Sequence, residues 1–286
     1  MTDGDCVAFL QWALPRMRLH WPGYRRVRGQ VCKRIARRWK DLELADLDAY
    51  RARLDVCPEE WNALAALCTI PISRFYRDRS LFEFLGRNVL PALARAAAAR
   101  GEPVFRCWSA GCASGEEPYT IALLWALLIQ PRFPALKLAI VASDVDARLL
   151  ARAVQGCYRA SSVKELPAGW LPRAFERRGD LLCVRDELRG PIEFLHSDIC
   201  RSAPAGLFDL VLCRNLVLTY FAPPLQVEVM QRVAAALRPG GGLVIGIHEA
   251  LPEDLGAMQP WPGARAIFRK ASRDQSSGEA VAWEAV

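Results

Sequence analysis

From Gly101 onward the chain alternates short apolar runs with helix-patterned segments, and few folds accept that pattern. VFRCWSA reads as a strand, EPYTIALLWALL as a helix, LKLAIVASD as a strand and DARLLARAV as a helix. Further on come IEFLHSD, FDLVLCRN, a helix near LQVEVMQRVAAAL, the turn RPGGG, the strand GLVIGI and a last strand near RAIFRK. Strands that are apolar throughout are covered on both faces, and intervening helices supply the crossovers of a parallel sheet. The pattern therefore predicts an α/β, Rossmann-like domain over residues 91–271. Between Cys157 and Gly190 the alternation lapses into shorter pieces, which predicts a small insertion at about 157–190 with a hairpin around LLCVRDEL. The tail 272–286, rich in Ser, Asp, Gln, Gly and Glu, is expected to be disordered.

Residues 1–90 read as an all-helical domain, with helical patterns at about 44–55, 58–68 and 78–99. Ten arginines and lysines and no acid lie between Arg16 and Lys40. Within VRGQVCKRIARRW the apolar Val27, Val31, Ile35 and Trp39 recur every four residues, so a helix buries that stripe and turns arginines outward. With a net charge of +7, an acidic partner is favoured. The apolar runs are far shorter than the roughly 20 residues that cross a bilayer, and the start does not resemble a signal peptide. These features lead to the expectation of a cytoplasmic protein without membrane insertion. The ten cysteines are scattered with no CxxC pair, so most are expected to be small core residues in a reducing compartment. Three histidines far apart give no support for a metal site.

The first strand turns into its helix through SAGCASGEEPYT, Ser109–Thr120. In open α/β sheets ligands bind at this position, beyond the carboxyl ends of the strands. A dinucleotide site would show GxGxxG, with backbone N–H groups meeting a pyrophosphate. Here Gly111 and Gly115 are followed by Glu116 and Glu117, whose charges would repel phosphate. S-adenosylmethionine, a nucleoside with an ammonium, a sulfonium and no phosphate, suits a carboxylate there. Ser114 to Glu117 also fits a capping box, with Ser114 as N-cap and Glu117 reaching back. The second strand ends at Asp144, where a carboxylate can accept hydrogen bonds from both ribose hydroxyls, and Asp146 is placed to cap the next helix.

WSAGCASGEEPYTIAL, SDVDARLLARAVQGCY, FDLVLCRNLVLTYF and LRPGGGLVIGIHEAL, taken with TIPISRFYRDRSLFEFL, resemble the successive motifs of the CheR-type chemotaxis receptor methyltransferases. The resemblance runs from about Tyr24 to Lys270. It implies an S-adenosylmethionine-dependent methyltransferase domain with a small β-subdomain insertion, preceded by a helical domain. It also implies methylation of chemoreceptor glutamate side chains, with release of S-adenosylhomocysteine. Position by position, Ser73 and Arg77 match residues that reach the cofactor. Ala110 and Glu116 match the cofactor turn and Asp144 the ribose ligand, while Asp198, beside Ile199, stands where the family usually has asparagine near the adenine. Cys213 and Arg214 match the cofactor-lining strand end, and Tyr220 the tyrosine near the transferred methyl. Arg77 and Tyr220 are thereby the implied catalytic residues. Phe75-Tyr76, Ser73 and Gly246-Ile-His-Glu249 depart from the family's usual residues without removing a charged cofactor contact. The insertion, reading FERRGDLLCV, is shorter than in members that dock a receptor's C-terminal pentapeptide, which counts against such a tether.

A glutamate carboxylate, which ordinarily titrates at about 4.3, is ionised at neutral pH and needs no general base. The enzyme's task would be to hold oxygen, methyl and sulfur in line. Read from residues alone, Arg77 has a second role open to it, a salt bridge with Asp78 or Glu83. Tyr220 can equally be a packed aromatic, and Arg214 a loop-fixing hydrogen-bond donor. Two other functions stay open: a nucleic-acid methyltransferase, encouraged by the basic charge, and a non-catalytic cofactor-binding regulator. Against nucleic acid, residues 212–215 read Leu-Cys-Arg-Asn, whereas enzymes that methylate base amino groups use an Asn/Asp-Pro-Pro-aromatic turn.

Overall fold

The computed structural model describes residues 2–272 other than Ala257. The tail expected to be disordered lies, from residue 273 on, outside the described residues. In chain order the helices α1 (Asp3–Arg16), α2 (Trp21–Tyr24), α3 (Arg28–Asp41), α4 (Leu47–Val56) and α5 (Pro58–Cys68) come first. Next, α6 (Arg79–Phe84) and α7 (Leu90–Ala99) are joined by a π-helical turn at Leu85–Val89. The alternating part begins with β1 (Val104–Ala110), α8 (Glu116–Leu124), β2 (Lys137–Asp144) and α9 (Ala147–Gln155). A smaller group follows: β3 (Cys157–Tyr158), α10 (Leu171–Ala174), β4 (Phe175–Arg178), β5 (Leu181–Val184) and α11 (Asp186–Arg189). The described chain closes with β6 (Ile192–His196), β7 (Phe208–Leu212), α12 (Val217–Tyr220), α13 (Pro223–Ala236), β8 (Leu237–Val244), β9 (Met258–Pro260) and β10 (Ile267–Lys270). Two compact units result, Met1–Ile72 with Asn215–Gln226, and Ser73–Arg214 with Val227–Val286. No helix among the described residues is long and apolar enough to cross a membrane.

The first unit is a helical cluster around Phe9, Leu10, Leu14, Val31, Ile35 and Tyr50, all fully buried. On α3, Val31 and Ile35 sit in this core while Val27 and Trp39 pack at its margin, as a four-residue stripe requires. Several basic residues of the region have structural work. Arg34 donates to the carbonyls of Leu67 (3.1 Å) and Thr69 (2.6 Å), and Arg38 grips the buried Glu60 through Nε (2.9 Å) and Nη2 (2.7 Å). Tyr50 Oη adds a third donor to Glu60 at 2.8 Å. The Arg38 guanidinium is the main cause holding the Glu60 carboxyl below the usual range, against the opposing effect of burial. Arg25, Arg26, Lys33, Arg37 and Lys40 remain exposed or half-exposed.

The segment Asn215–Gln226 is built into this helical unit. His20 N–H donates to the carbonyl of Tyr220 (2.8 Å) and Ala222 N–H to that of Arg18 (2.8 Å), closing an antiparallel bridge between Leu19 and Phe221. The Tyr24 and Tyr220 rings lie 5.1 Å apart.

The second unit carries a seven-stranded sheet in the order β6-β2-β1-β7-β8-β10-β9. The first five strands run parallel and the last two antiparallel. β7, FDLVL, is buried at every position, as a strand covered on both faces must be. RPGGG, expected as a turn, is instead an irregularity inside β8. Phe208 pairs with Leu237 and Leu210 with Gly242, so residues 238–241 bulge from the ladder, with Gly240 in the left-handed region (φ 76). A separate three-stranded sheet, β3-β5-β4, is joined to the loop before α6 by Phe75, whose ring meets Tyr158 and Phe175 edge-on at 4.8 and 5.0 Å.

The cysteines depart from expectation at two pairs. Cys6–Cys32 ties α1 to α3, and Cys157–Cys183 joins facing residues of β3 and β5. Six cysteines lie outside the disulfides, with Cys68, Cys107, Cys112 and Cys213 buried. The pairs are 26 residues apart in both cases, and only folding brings them together.

Candidate functional site

Strand order reverses at β1, with β2 and β6 on one side and β7 and β8 on the other. This is the point where an open parallel sheet leaves a crevice beyond its carboxyl edge. Ala110 ends β1, Asp144 ends β2, Asp198 and Ile199 follow β6, and Cys213 and Arg214 follow β7. The topology thus collects residues spread over more than one hundred positions of sequence along one edge. Ser73 and Arg77 precede α6 in the same unit. Tyr220 ends α12 in the helical unit.

The turn from β1 to α8 is tightly curled, with Gly111 (φ 76), Ala113 (φ 48) and Gly115 (φ 91) all left-handed. Gly111 and Cys112 donate their N–H groups to the carbonyl of Ser143 at 2.8 and 3.0 Å. Tyr158 Oη donates to the carbonyl of Ser114 at 2.6 Å. A β-carbon on Gly115 would stand 2.9 Å from that of Ala153 and 3.1 Å from Tyr158 Oη, so both the angle and the space require glycine.

This curl overturns the capping-box expectation. Gly115, not Ser114, is the N-cap residue of α8, and no side chain caps it. Ser114 stands one residue too early and donates to the Glu116 carboxylate instead, 3.1 and 3.0 Å from its two oxygens. Glu117 accepts from Ser109 Oγ at 2.7 Å and from Arg214 Nη1 at 2.9 Å.

Glu116 is only 2% exposed, and among the described residues no arginine or lysine pairs with it. A buried carboxylate is costly without a cation, and the start of α8 offers only the partial positive charge of its free N–H groups. Asp144 accepts from Ala113 N–H at 2.8 Å on one oxygen and from Asp146 N–H at 2.9 Å on the other. Burial pushes its carboxyl up from the usual range, with the backbone N–H groups of Asp146, Ala113 and Val145 pulling the other way. A carboxylate has about four acceptor positions, so Asp144 keeps capacity for further donors. Asp146 caps α9, accepting from Arg148 and Leu149 N–H groups. Asp198 accepts from Cys200 N–H at 2.9 Å and pairs with Arg201 at 3.5 Å. The Ile199 carbonyl accepts from Arg232 Nη1 at 2.9 Å.

Residues 72–267 match the family described as "CheR methyltransferase, SAM binding domain". The chain belongs to the CheR methyltransferase family. Over 225 residues it is 36% identical to the "Uncharacterized 104.1 kDa protein in hypE 3'region" of Rhodobacter capsulatus, a match that covers 78% of this chain and 23% of that protein. The chain thus spans under a quarter of that relative's length. The Vibrio cholerae protein named "Chemotaxis protein methyltransferase 2" is 30% identical over 260 residues, covering 88% of this chain and 87% of the relative. The Listeria innocua "Chemotaxis protein methyltransferase" is 36% identical over 193 residues, covering 67% and 70%.

For a CheR-family member the cofactor is S-adenosyl-L-methionine, and the residues present fit it. Glu116 is a buried anion lacking a cation among the described residues, the counterpart of an ammonium. Asp144 is a carboxylate with acceptor positions left for hydroxyl donors. Cys213, 1% exposed, continues the β7 edge with its N–H on the Val244 carbonyl at 2.9 Å.

Arg214 takes the loop-fixing role left open for it. Its side chain is 4% exposed and pairs with Asp78 (2.6 Å) and Glu117 (2.9 Å), with Nη2 also on the carbonyl of Arg77 (3.0 Å). Of its guanidinium nitrogens, only Nε is buried without a partner. Of the two acids named for an Arg77 salt bridge, Asp78 holds Arg214 and Glu83 holds Arg79. Sequence reasoning missed Asp78 and the pairing role of Glu117. The one available signal for Asp78 was an acid directly after the motif arginine, and nothing local announced that a residue 136 positions away would claim it.

Proposed function

We propose that this chain transfers a methyl group from S-adenosyl-L-methionine to glutamate side-chain carboxylates of chemoreceptors, acting in the cytoplasm. The observation that carries this reading is Glu116, a carboxylate buried at the cofactor turn with no arginine or lysine partner among the described residues. A phosphate-bearing cofactor would be repelled there, whereas a methionine ammonium would complete the pair. S-adenosyl-L-methionine, when bound, supplies a methyl group activated by a cationic sulfonium. In this reading Asp144 accepts from the ribose hydroxyls. Asp198 and Ile199 flank the adenine, and Ala110, Cys213 and Ser73 line the remainder. Arg77 binds a carboxylate, either the cofactor's or the incoming glutamate's, through charge-assisted hydrogen bonds, and Tyr220 presents its hydroxyl to the reacting groups. The nucleophile is ionised at neutral pH, so these residues bind, orient and exclude water without removing a proton.

The solvent-facing Arg25, Arg26, Lys33, Arg37 and Lys40 favour an acidic helical bundle, the methylation region of such receptors, as the substrate surface. Contact through exposed charges would weaken with salt. The test is incubation with methyl-labelled cofactor and either receptor cytoplasmic fragments or RNA. Base-labile label on receptor glutamates is expected. Base-stable label on RNA, or cofactor binding without any transfer, would replace this function with one of the two rivals.

A further inference from the structure

Arg77 sits between two residues whose backbones are left-handed although neither is glycine, Tyr76 at φ 60 and Asp78 at φ 65. Side chains with a Cβ rarely adopt that conformation, and a pair of such residues persists only where the surroundings impose it. The imposing contacts can be named. Tyr76 N–H donates to Thr120 Oγ1 at 3.2 Å, and Thr120 Oγ1 itself donates to the Glu116 carbonyl at 2.7 Å. On the other side, Arg214 Nη2 reaches both the Arg77 carbonyl (3.0 Å) and the Asp78 carboxylate (2.6 Å). The Arg214 guanidinium also lies over the Phe82 ring at 4.8 Å and is anchored at its far end by Glu117.

Asp78 is also the N-cap residue of α6, and its side chain makes no capping hydrogen bond. Aspartate is among the best capping residues, because its carboxylate can accept an otherwise unused helix N–H. Here that local use is given up and the carboxylate is committed to Arg214. A local preference overridden in this way marks a position shaped by the site.

We infer that Asp78 is a positioning residue for Arg77, acting through Arg214, which clamps the Arg77 backbone while Asp78 and Glu117 hold the guanidinium in place. This rests on the proposed role of Arg77 in binding a carboxylate. The clamp ties Arg77 to the strand end after β7 and, through Thr120, to the same helix that carries Glu116.

The experiment is a double-mutant cycle read by kcat/KM for methyl transfer, with melting temperature measured in parallel. Asp78→Ala should lower kcat/KM by about 10- to 100-fold, the scale of a misplaced binding group. In an Arg77→Ala background the same change should cost nothing further. Asp78→Gly separates carboxylate from backbone, because glycine accepts φ 65 without strain. It should be more stable than Asp78→Ala and equally impaired. Asp78→Glu keeps the charge, and partial recovery of kcat/KM with it is expected. Full activity in Asp78→Gly, or additive losses in the cycle, would overturn the inference. Arg77→Ala with unchanged turnover would instead remove the underlying role of Arg77, an outcome that the single variants distinguish.

Discussion

Gly23 faces the carbonyl of Thr219 so closely that a β-carbon on Gly23 would lie 2.0 Å from that oxygen. Three residues farther on, Ala222 closes the bridge to Arg18, and Tyr220 packs on Tyr24. The glycine therefore lets the N-terminal helices hold the segment that carries Tyr220. Gly23→Ala must push the two backbones apart, at a cost of about 1–3 kcal/mol typical of overpacking. A lowered melting temperature with reduced methyl transfer is expected. Wild-type behaviour on both counts would show that the segment moves freely and that its seating is unimportant.

Glu116→Gln tests the cofactor turn. The amide keeps the shape and still accepts from Ser114 Oγ, which now contacts both carboxylate oxygens. Removing a buried charge that no cation offsets should leave the free protein as stable or more so. Loss of a charge-assisted contact to an ammonium should weaken S-adenosyl-L-methionine by about 1.5–3 kcal/mol, roughly 10- to 100-fold. Calorimetric titration measures the second and thermal melting the first. Unchanged affinity would take Glu116 out of the cofactor site.

In the proposed ribose role, Asp144 should make cofactor binding dependent on pH. Its carboxyl is raised in the folded chain, mainly by burial, so the folded state holds the proton more tightly than the unfolded chain. The ionised form therefore costs stability at neutral pH, and this cost is relieved as pH falls through the raised value. Cofactor affinity should run the opposite way, because ribose hydroxyls would need the ionised acceptor. Affinity should drop on acidification at a pH above the ordinary aspartate value of about 3.9, and Asp144→Asn should flatten that dependence. Superimposable profiles for the two proteins would exclude the ribose role.

The disulfides give a direct chemical count. Unfolded without reductant, the protein should present the six thiols outside the disulfides, and all ten cysteines after reduction. Each bridge closes a loop of 26 residues, for which chain entropy gives about 3.5 kcal/mol. Replacing Cys6 and Cys32 by serine should lower stability on that scale. Ten reactive thiols without reductant would mean that neither bridge forms.

Much of the architecture was legible because periodicity is local. Apolar runs marked both ends of β1 and β2 within a residue and the start of β7, whose end was placed three residues too late, and the four-residue stripe marked α3. The RPGGG segment misled because its glycines and proline carry the ordinary signature of a turn, while the pairing of β8 with β7 on either side absorbs it as a bulge. The capping box misled because Ser114 and Glu117 have the right spacing, whereas the left-handed Gly115 shifts the helix start by one residue.

The sequence by itself determined the alternation of strands and helices, the carboxylates at the first crossover and the apolar stripe of α3, because each depends on neighbours within a few positions. The tertiary structure alone decided that Arg214 would reach the Arg77 carbonyl and the Asp78 carboxylate, that Gly23 would seat the Tyr220 segment, and that four of the ten cysteines would pair. Those contacts join residues 26 to 196 positions apart. Their partners are chosen by strand order and helix packing, which no short window of sequence contains.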